Sequence, residues 1–216
     1  MRLAVFDCDG TLVDGQAPVC DAMEAAFAAA GLPAPDRRAV RRIVGLSLPQ
    51  AVRRLAPDAP ADRQSAAVEA YKSAFRATRE AGRLEEPLFD GIEPLLRGLH
   101  AEGWALAVAT GKSDRGLAAC LAGHGIAGLF ASLQTADRHP SKPHPAMLEA
   151  AMAETGASVE ETVMIGDTSF DMAMAQAAGT RAIGVGWGYH AVRELHDAGA
   201  HAVARDIREL KDMLNG

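Results

Sequence analysis

The apolar run Leu3–Phe6 follows a single arginine and is long enough for one short strand buried on both faces. The next run of that kind, WALAVAT at 104–110, arrives only after a long helical stretch. From about Gln16 to Glu86 the apolar positions recur at helical spacing in an Ala- and Arg-rich background, broken at GLPAP, Pro57 and Pro60. That pattern predicts roughly four helices and no strand. After Pro87 it predicts a helix at 92–102, a strand at 104–109, a helix at 113–124 and a short strand near Ser132. A helix at 145–155, a strand at 162–165, a helix at 170–178 and a strand at 181–185 follow. Strands alternating with helices form a parallel sheet covered on both faces. The expected fold class is therefore α/β, a Rossmann-like doubly wound parallel sheet core with an inserted all-helical cap. The core takes residues 1–15 and 87–216, and the cap takes 16–86.

Polar residues gather where these strands end. Asp7, Thr110 and Asp167 each follow or close a strand, and a doubly wound sheet binds its ligand at the carboxyl edge of its strands. Asp7 and Asp9 raise a sharper question. Residues i and i+2 of a strand share a side, so two like charges there repel unless a cation or a transferred proton compensates them.

Composition narrows the partners. The chain has 216 residues, 49% of them hydrophobic, enough for one good core and a small second lobe. A formal charge of −6 provides no basic field for nucleic acid, and no apolar run is long enough to span a bilayer, so the expected partner is a small molecule. Met1-Arg2 leads directly into the first strand without a signal-peptide pattern, which predicts a cytoplasmic protein. Cys8, Cys20 and Cys120 lack metal-ligand spacing and are expected to be buried thiols, with Cys8 turned away from the two acids.

Four stretches carry the candidate chemistry: DCDGTL at 7–12, ATGKS at 109–113, SKPHP at 141–145 and GDTSFD at 166–171. A carboxylate can attack a phosphoryl group if a metal and cations neutralise the charge gathered around it. Asp7 and Asp167 offer the hard oxygens that Mg2+ prefers. Thr110 and the backbone N–H groups after it, beginning at Gly111, can hold phosphate oxygens at a helix start, and Lys142 adds a positive charge. Asp9 could protonate the leaving oxygen and later deprotonate the attacking water.

With these stretches in this order, the chain resembles the haloacid dehalogenase superfamily, in its phosphoglycolate phosphatase-like branch with a helical cap. The resemblance covers nearly the whole chain. It implies a magnesium-dependent phosphatase that hydrolyses a small phosphomonoester through an aspartyl phosphate. Asp7 would be the nucleophile, and Asp9 the acid/base and a metal ligand through its carbonyl. Asp167 would be a direct ligand and Asp171 an outer-shell or alternative one. Thr110 would bind phosphate and Lys142 would stabilise nucleophile and phosphoryl oxygens. The partner would be a small phosphorylated metabolite and the protein a monomer or dimer. Relatives in this branch often carry Asn or Ser where this chain has Gly111, and Asp-Ser where it has Asp14-Gly15.

Other readings fit less of the chain. A dehalogenase would need no acid at Asp9, and a phosphorelay receiver is shorter and has no helical insert. A sugar phosphomutase would share the core and differ in what the cap admits. An EF-hand loop would need glycine at Leu12, and a nucleotide-binding P-loop would need one at Leu106. Lys112 is either a helix-start lysine or a phosphate neighbour. His139, His144 and His190 lie near strand ends as minor substrate candidates, and WGYH at 187–190 reads as packing before binding. Within the Arg-rich run, RRIVGLS holds the cap loop that would reach the site, with Gly45 and Ser47 as specificity candidates.

Overall fold

The computed structural model describes residues 1–215. Strands β1 (Leu3–Phe6), β2 (Ala105–Thr110), β3 (Ser132–Thr135), β4 (Thr162–Gly166), β5 (Arg181–Val185) and β6 (Ala202–Ala204) form one parallel sheet, ordered β3-β2-β1-β4-β5-β6. The order reverses at β1, so β1 stands at the switch point where such sheets open a crevice. Helices α5 (Ile92–Ala101), α6 (Asp114–Gly123), α7 (Ala146–Thr155), α8 (Ser169–Ala178), α9 (Val192–Asp197) and α10 (Ile207–Asn215) flank the sheet.

Alternation along β1 decides which helices it meets. Ala4 and Phe6 pack with Leu96, Leu117 and Leu210 of α5, α6 and α10, whereas Leu3 and Val5 pack with Met147 and Met172 of α7 and α8. Both faces are dry, as a parallel strand requires. Cys8 joins Cys120 in the first of these clusters, and all three cysteines are free and buried.

The insert between β1 and α5 is all-helical: α1 (Gln16–Ala29), α2 (Arg37–Arg42), α3 (Leu48–Leu55) and α4 (Ala61–Glu80). It builds its own apolar cluster from Met23, Phe27, Val40, Val52 and Val68, with α1 packed along α4. GLPAP separates α1 from α2, and Pro57 and Pro60 fall between α3 and α4, where the missing N–H and fixed φ end a helix. The predicted elements lie within one or two residues of the observed ones. Strand β6 and helices α9 and α10 add to them. Three residues, AVA, are too short a strand to show a period.

None of the described helices is long and apolar enough to cross a membrane.

Candidate active site

Register aligns the site. Phe6 pairs with Val108 on one side and Ile165 on the other, so Asp7 leaves the sheet level with Ala109 and Gly166, one residue before Thr110 and Asp167. The chain then turns sharply: Leu12 N and Val13 N both donate to the Cys8 carbonyl, at 2.9 and 3.0 Å. Gly10 makes the turn with φ +85°, and a Cβ there would collide with the Asp167 carboxylate.

Asp7, Lys142, Asp167 and Asp171 lie buried together. Lys142 Nζ stands 2.9 Å from Asp7 Oδ1 and 2.6 Å from Asp171 Oδ1, with no exposure on any of the three side chains. Asp171 Oδ2 accepts from Thr168 N at 3.0 Å and Thr168 Oγ1 at 2.7 Å, which caps α8. Asp167 accepts from Thr11 Oγ1 at 3.0 Å and from Tyr189 N at 2.9 Å. Asp7 Oδ1 also accepts from Cys8 N at 2.7 Å, while its other oxygen, Oδ2, is buried without a hydrogen-bond partner.

Burial pushes the Asp7 carboxyl up to about 7; Lys142 opposes the rise and Asp171 adds to it. Burial, then Asp7 and Asp171, hold Asp167 well above the ordinary carboxylate range. Burial also works against the Lys142 charge, but Asp171 and Asp7 outweigh it and keep the ammonium above its usual range.

These side chains fit a divalent cation. Asp7, Asp167 and Asp171 each bring one carboxylate oxygen within 4.8 Å of the others. With all three ionised, these carboxylates would exceed the single Lys142 charge by two, which is why burial and mutual repulsion raise Asp7 and Asp167 while no cation is bound. An orphaned buried oxygen on Asp7 is costly without a ligand, and oxygen donors of this kind suit Mg2+. Asp171 spends its oxygens on Lys142 and Thr168, and Asp167 spends its own on Thr11 and Tyr189, so Asp7 Oδ2 is the oxygen of the three acids with no protein hydrogen bond to give up. The Asp9 carboxylate is not part of this group.

Asp9 faces a different lysine. Its Oδ1 lies 3.1 Å from Lys112 Nζ, which also pairs with Glu86 Oε1; all three side chains are 10% exposed or less. The same-side repulsion expected of a strand is thereby relieved, because β1 ends at Phe6 and each acid has its own ammonium. Burial raises the Asp9 carboxyl, with Lys112 opposing and Glu86 adding to the rise.

Thr110 closes β2, buried, with Oγ1 accepting from Lys112 N at 3.2 Å. The helical insert reaches this point. Gly45 takes φ +98°, and a Cβ there would stand 3.7 Å from Asp7 Oδ2. A Cβ on Gly111 would strike the carbonyl oxygens of Leu46 and Gly45, and Ser47 N donates to Ser141 Oγ at 2.8 Å. Between insert and sheet lies a cavity of about 520 Å³, with Asp9 and Lys112 on one side and Gly45, Ser47, Tyr71 and Phe75 on the other.

The histidines divide. His139 bonds Gln134 at 2.7 Å and His144 accepts from Ala146 N at 3.2 Å, both outside the cavity lining. His190 is buried and ties the Arg42 carbonyl at 3.0 Å to Ser169 N at 3.1 Å, linking α2 to the start of α8. WGYH supports the first loop: Trp187 Nε1 donates to the Thr11 carbonyl at 3.2 Å, and Tyr189 N holds Asp167. Sequence reasoning missed Tyr189 as an Asp167 donor and Glu86 altogether. Glu86 carries one signal, its place at the return from the helical stretch.

Comparison with known proteins identifies the family and the fold. The model of the haloacid dehalogenase-like hydrolase family matches residues 4–185. "Probable phosphatase IndB" of Dickeya dadantii is 38% identical over 213 residues, 96% of this chain and 91% of that protein. A phosphoglycolate phosphatase of Pseudomonas fluorescens is 30% identical over 219 residues, covering 97% of this chain and 78% of its own. The fold of a solved hydrolase from Pseudomonas syringae superimposes with a TM-score of 0.87, at 24% identity over 100% of this chain and 98% of the other. With the matched region running from β1 to the end of β5, the chain belongs to the haloacid dehalogenase-like hydrolases.

Proposed function

We propose that this phosphoric monoester hydrolase cleaves a small phosphomonoester through a covalent phosphoryl group on Asp7. The observation that carries the reading is Asp7 Oδ2, a buried carboxylate oxygen without a partner, beneath Gly45 and next to a balanced lysine. The relatives named as phosphatases support it.

Asp7 Oδ2 would attack phosphorus, and the bond to the leaving oxygen would break as Asp9 gives that oxygen its proton. Asp9 would then take a proton from water, which attacks the phosphoryl group and frees Asp7. Lys142 stays charged throughout, offsets the Asp7 carboxylate and faces the developing phosphoryl charge. Thr110 and the N–H groups from Gly111 onward would hold phosphate oxygens. Mg2+ bound by Asp7 and Asp167, with the Asp9 carbonyl as a further donor, would neutralise the transferring group.

Residues 16–86 act as a cap in this reading, and a cavity of about 520 Å³ suits a metabolite better than a protein or nucleic-acid chain. Phosphoglycolate and sugar phosphates are the leading substrates, with nucleoside monophosphates behind them. The experiment is a panel of phosphate esters assayed with Mg2+ and with excess chelator, combined with trapping of the phosphorylated chain. Phosphate release that stops with chelator and a label on Asp7 are expected. Undiminished turnover without a divalent ion, or a label elsewhere, defeats the reading. Net isomerisation of a sugar phosphate without phosphate release would make the protein a mutase.

A further inference from the structure

Both connections between the helical insert and the sheet meet at the Asp9 carboxylate. On the way into α1, Gly15 passes so close that a Cβ there would lie 2.6 Å from Asp9 Oδ1 and 3.6 Å from Glu86 Oε1. On the way back from α4, Glu86 pairs with Lys112, whose Nζ also stands 3.1 Å from Asp9 Oδ1. Lys112 is tethered from below as well, because its backbone N donates to Thr110 Oγ1. From the insert, the Phe75 ring of α4 lies 5.6 Å from the same ammonium and stacks on Tyr71 at 5.6 Å. One lysine thus touches the acid, the returning connection and the insert's inner wall.

We infer that Lys112, braced by Glu86, is the positioning residue that aims the Asp9 carboxyl at the leaving oxygen. The inference rests on the proposed acid role of Asp9. A carboxyl at the edge of a cavity has several rotamers of similar energy, and proton transfer requires one of them. An ammonium fixed between two carboxylates selects that one. Without Glu86 the lysine is held at one end only and can follow a substrate phosphate instead. The charged groups that this ammonium meets are the acids Asp9 and Glu86.

The test separates positioning from phosphate binding and from mere support. The wild type and the Asp9→Asn, Lys112→Met, Lys112→Arg and Glu86→Gln variants are assayed with saturating Mg2+. Two esters are used: p-nitrophenyl phosphate, whose leaving group departs without a proton, and an alkyl phosphate, whose leaving group needs one. The kcat/KM value is read because it includes the step in which the leaving oxygen departs. Thermal unfolding of each variant reports the folded fraction.

Asp9→Asn is expected to lose about 10²-fold or more on the alkyl ester and far less on the aryl ester. Lys112→Met should reproduce that asymmetry, with a loss of about 10- to 100-fold confined to the alkyl ester. Lys112→Arg should recover part of it, and Glu86→Gln should show a weaker loss in the same direction. If Lys112→Met and Glu86→Gln lower both esters by one common factor while Asp9→Asn remains asymmetric, the positioning role is overturned. If Asp9→Asn itself shows no asymmetry, the acid role of Asp9 fails instead. Should Lys112→Met not fold, Glu86→Gln and Lys112→Arg decide the matter by the same ratio.

Discussion

Asp7 and Asp9 are the same residue two positions apart, yet the fold builds them opposite surroundings. Asp7 lies in a sealed cluster with Lys142, where every side chain in contact is fully buried. Asp9 lies at the rim of a cavity with Lys112 and Glu86, where each side chain keeps 7–10% of its surface. On the sealed side Asp7 Oδ2 has no partner, whereas on the rim side the buried Asp9 Oδ1 makes no hydrogen bond but meets the Lys112 ammonium as an ion pair at 3.1 Å. The rim side surrounds its carboxylate with groups from both connections to the insert. A nucleophile gains from the loss of water around it, whereas an acid must reach a leaving group that differs from one ester to the next.

The comparison breaks most visibly at Asp7, the proposed nucleophile. Asp7→Asn should lower kcat by at least about 10³-fold on any ester, because no second carboxylate can take its place. Retained turnover on p-nitrophenyl phosphate would show that the sealed side is not where covalent chemistry happens.

The two lysines should differ in stability. Lys142→Ala leaves two buried acids, Asp7 and Asp171, without their cation and should cost about 3–5 kcal/mol, read by chemical denaturation of the metal-free protein. Lys112→Met should cost less, because its partners Asp9 and Glu86 keep 10% and 7% side-chain exposure where Asp7 and Asp171 keep none. Equal losses would erase the distinction between a sealed and a rimmed site.

Gly111→Ala probes the contact between insert and sheet. The added Cβ meets backbone oxygens of Leu46 and Gly45, which cannot rotate away as a side chain would. Overpacking of this kind should cost the closed arrangement about 1–3 kcal/mol. We expect kcat/KM to fall by the corresponding factor while the melting temperature of the sheet stays near that of the wild type. An unchanged kcat/KM would mean that catalysis does not require Gly45 and Leu46 to pack on Gly111.

The smallest expected effect is a dependence on pH. Asp7 titrates near 7 in the folded, metal-free chain against 3.8 when unfolded. Its carboxyl therefore takes up a proton on folding between those values, stabilising the metal-free chain as pH falls below 7 and losing that contribution as pH rises through 7. Mg2+ competes with this proton, so the rise in melting temperature on adding Mg2+ should be larger at pH 8 than at pH 6. A larger rise at pH 6 would remove Asp7 from the ligand set.

Most of the sealed side was legible before the fold was known. Asp7, Thr110 and Asp167 stand at strand ends, which strand alternation carries to one edge, while Lys142 and Asp171 stand out as parts of short stretches and lie in the loop before α7 and in the first turn of α8. The rim side was hardly legible. Lys112 remained either a helix-start lysine or a phosphate neighbour, because its partners lie 26 residues upstream at Glu86 and in the first loop at Asp9. Tyr189 reads as packing, since a backbone N–H carries no residue-type signal, yet that N–H holds Asp167.

By itself the sequence determined which residues carry charge, where strands and helices alternate, and that a helical stretch interrupts the sheet after β1. Periodicity and turn chemistry are local properties of the chain, and they suffice for that much. Only the tertiary structure decided that Asp7 and Asp9 part company, each to its own lysine. The chain leaves the sheet at Phe6, so the two acids no longer share a strand's side. Which cation each one meets then depends on segments more than 70 residues away in sequence, Lys112 and Lys142, whose approach is set by sheet order and helix packing.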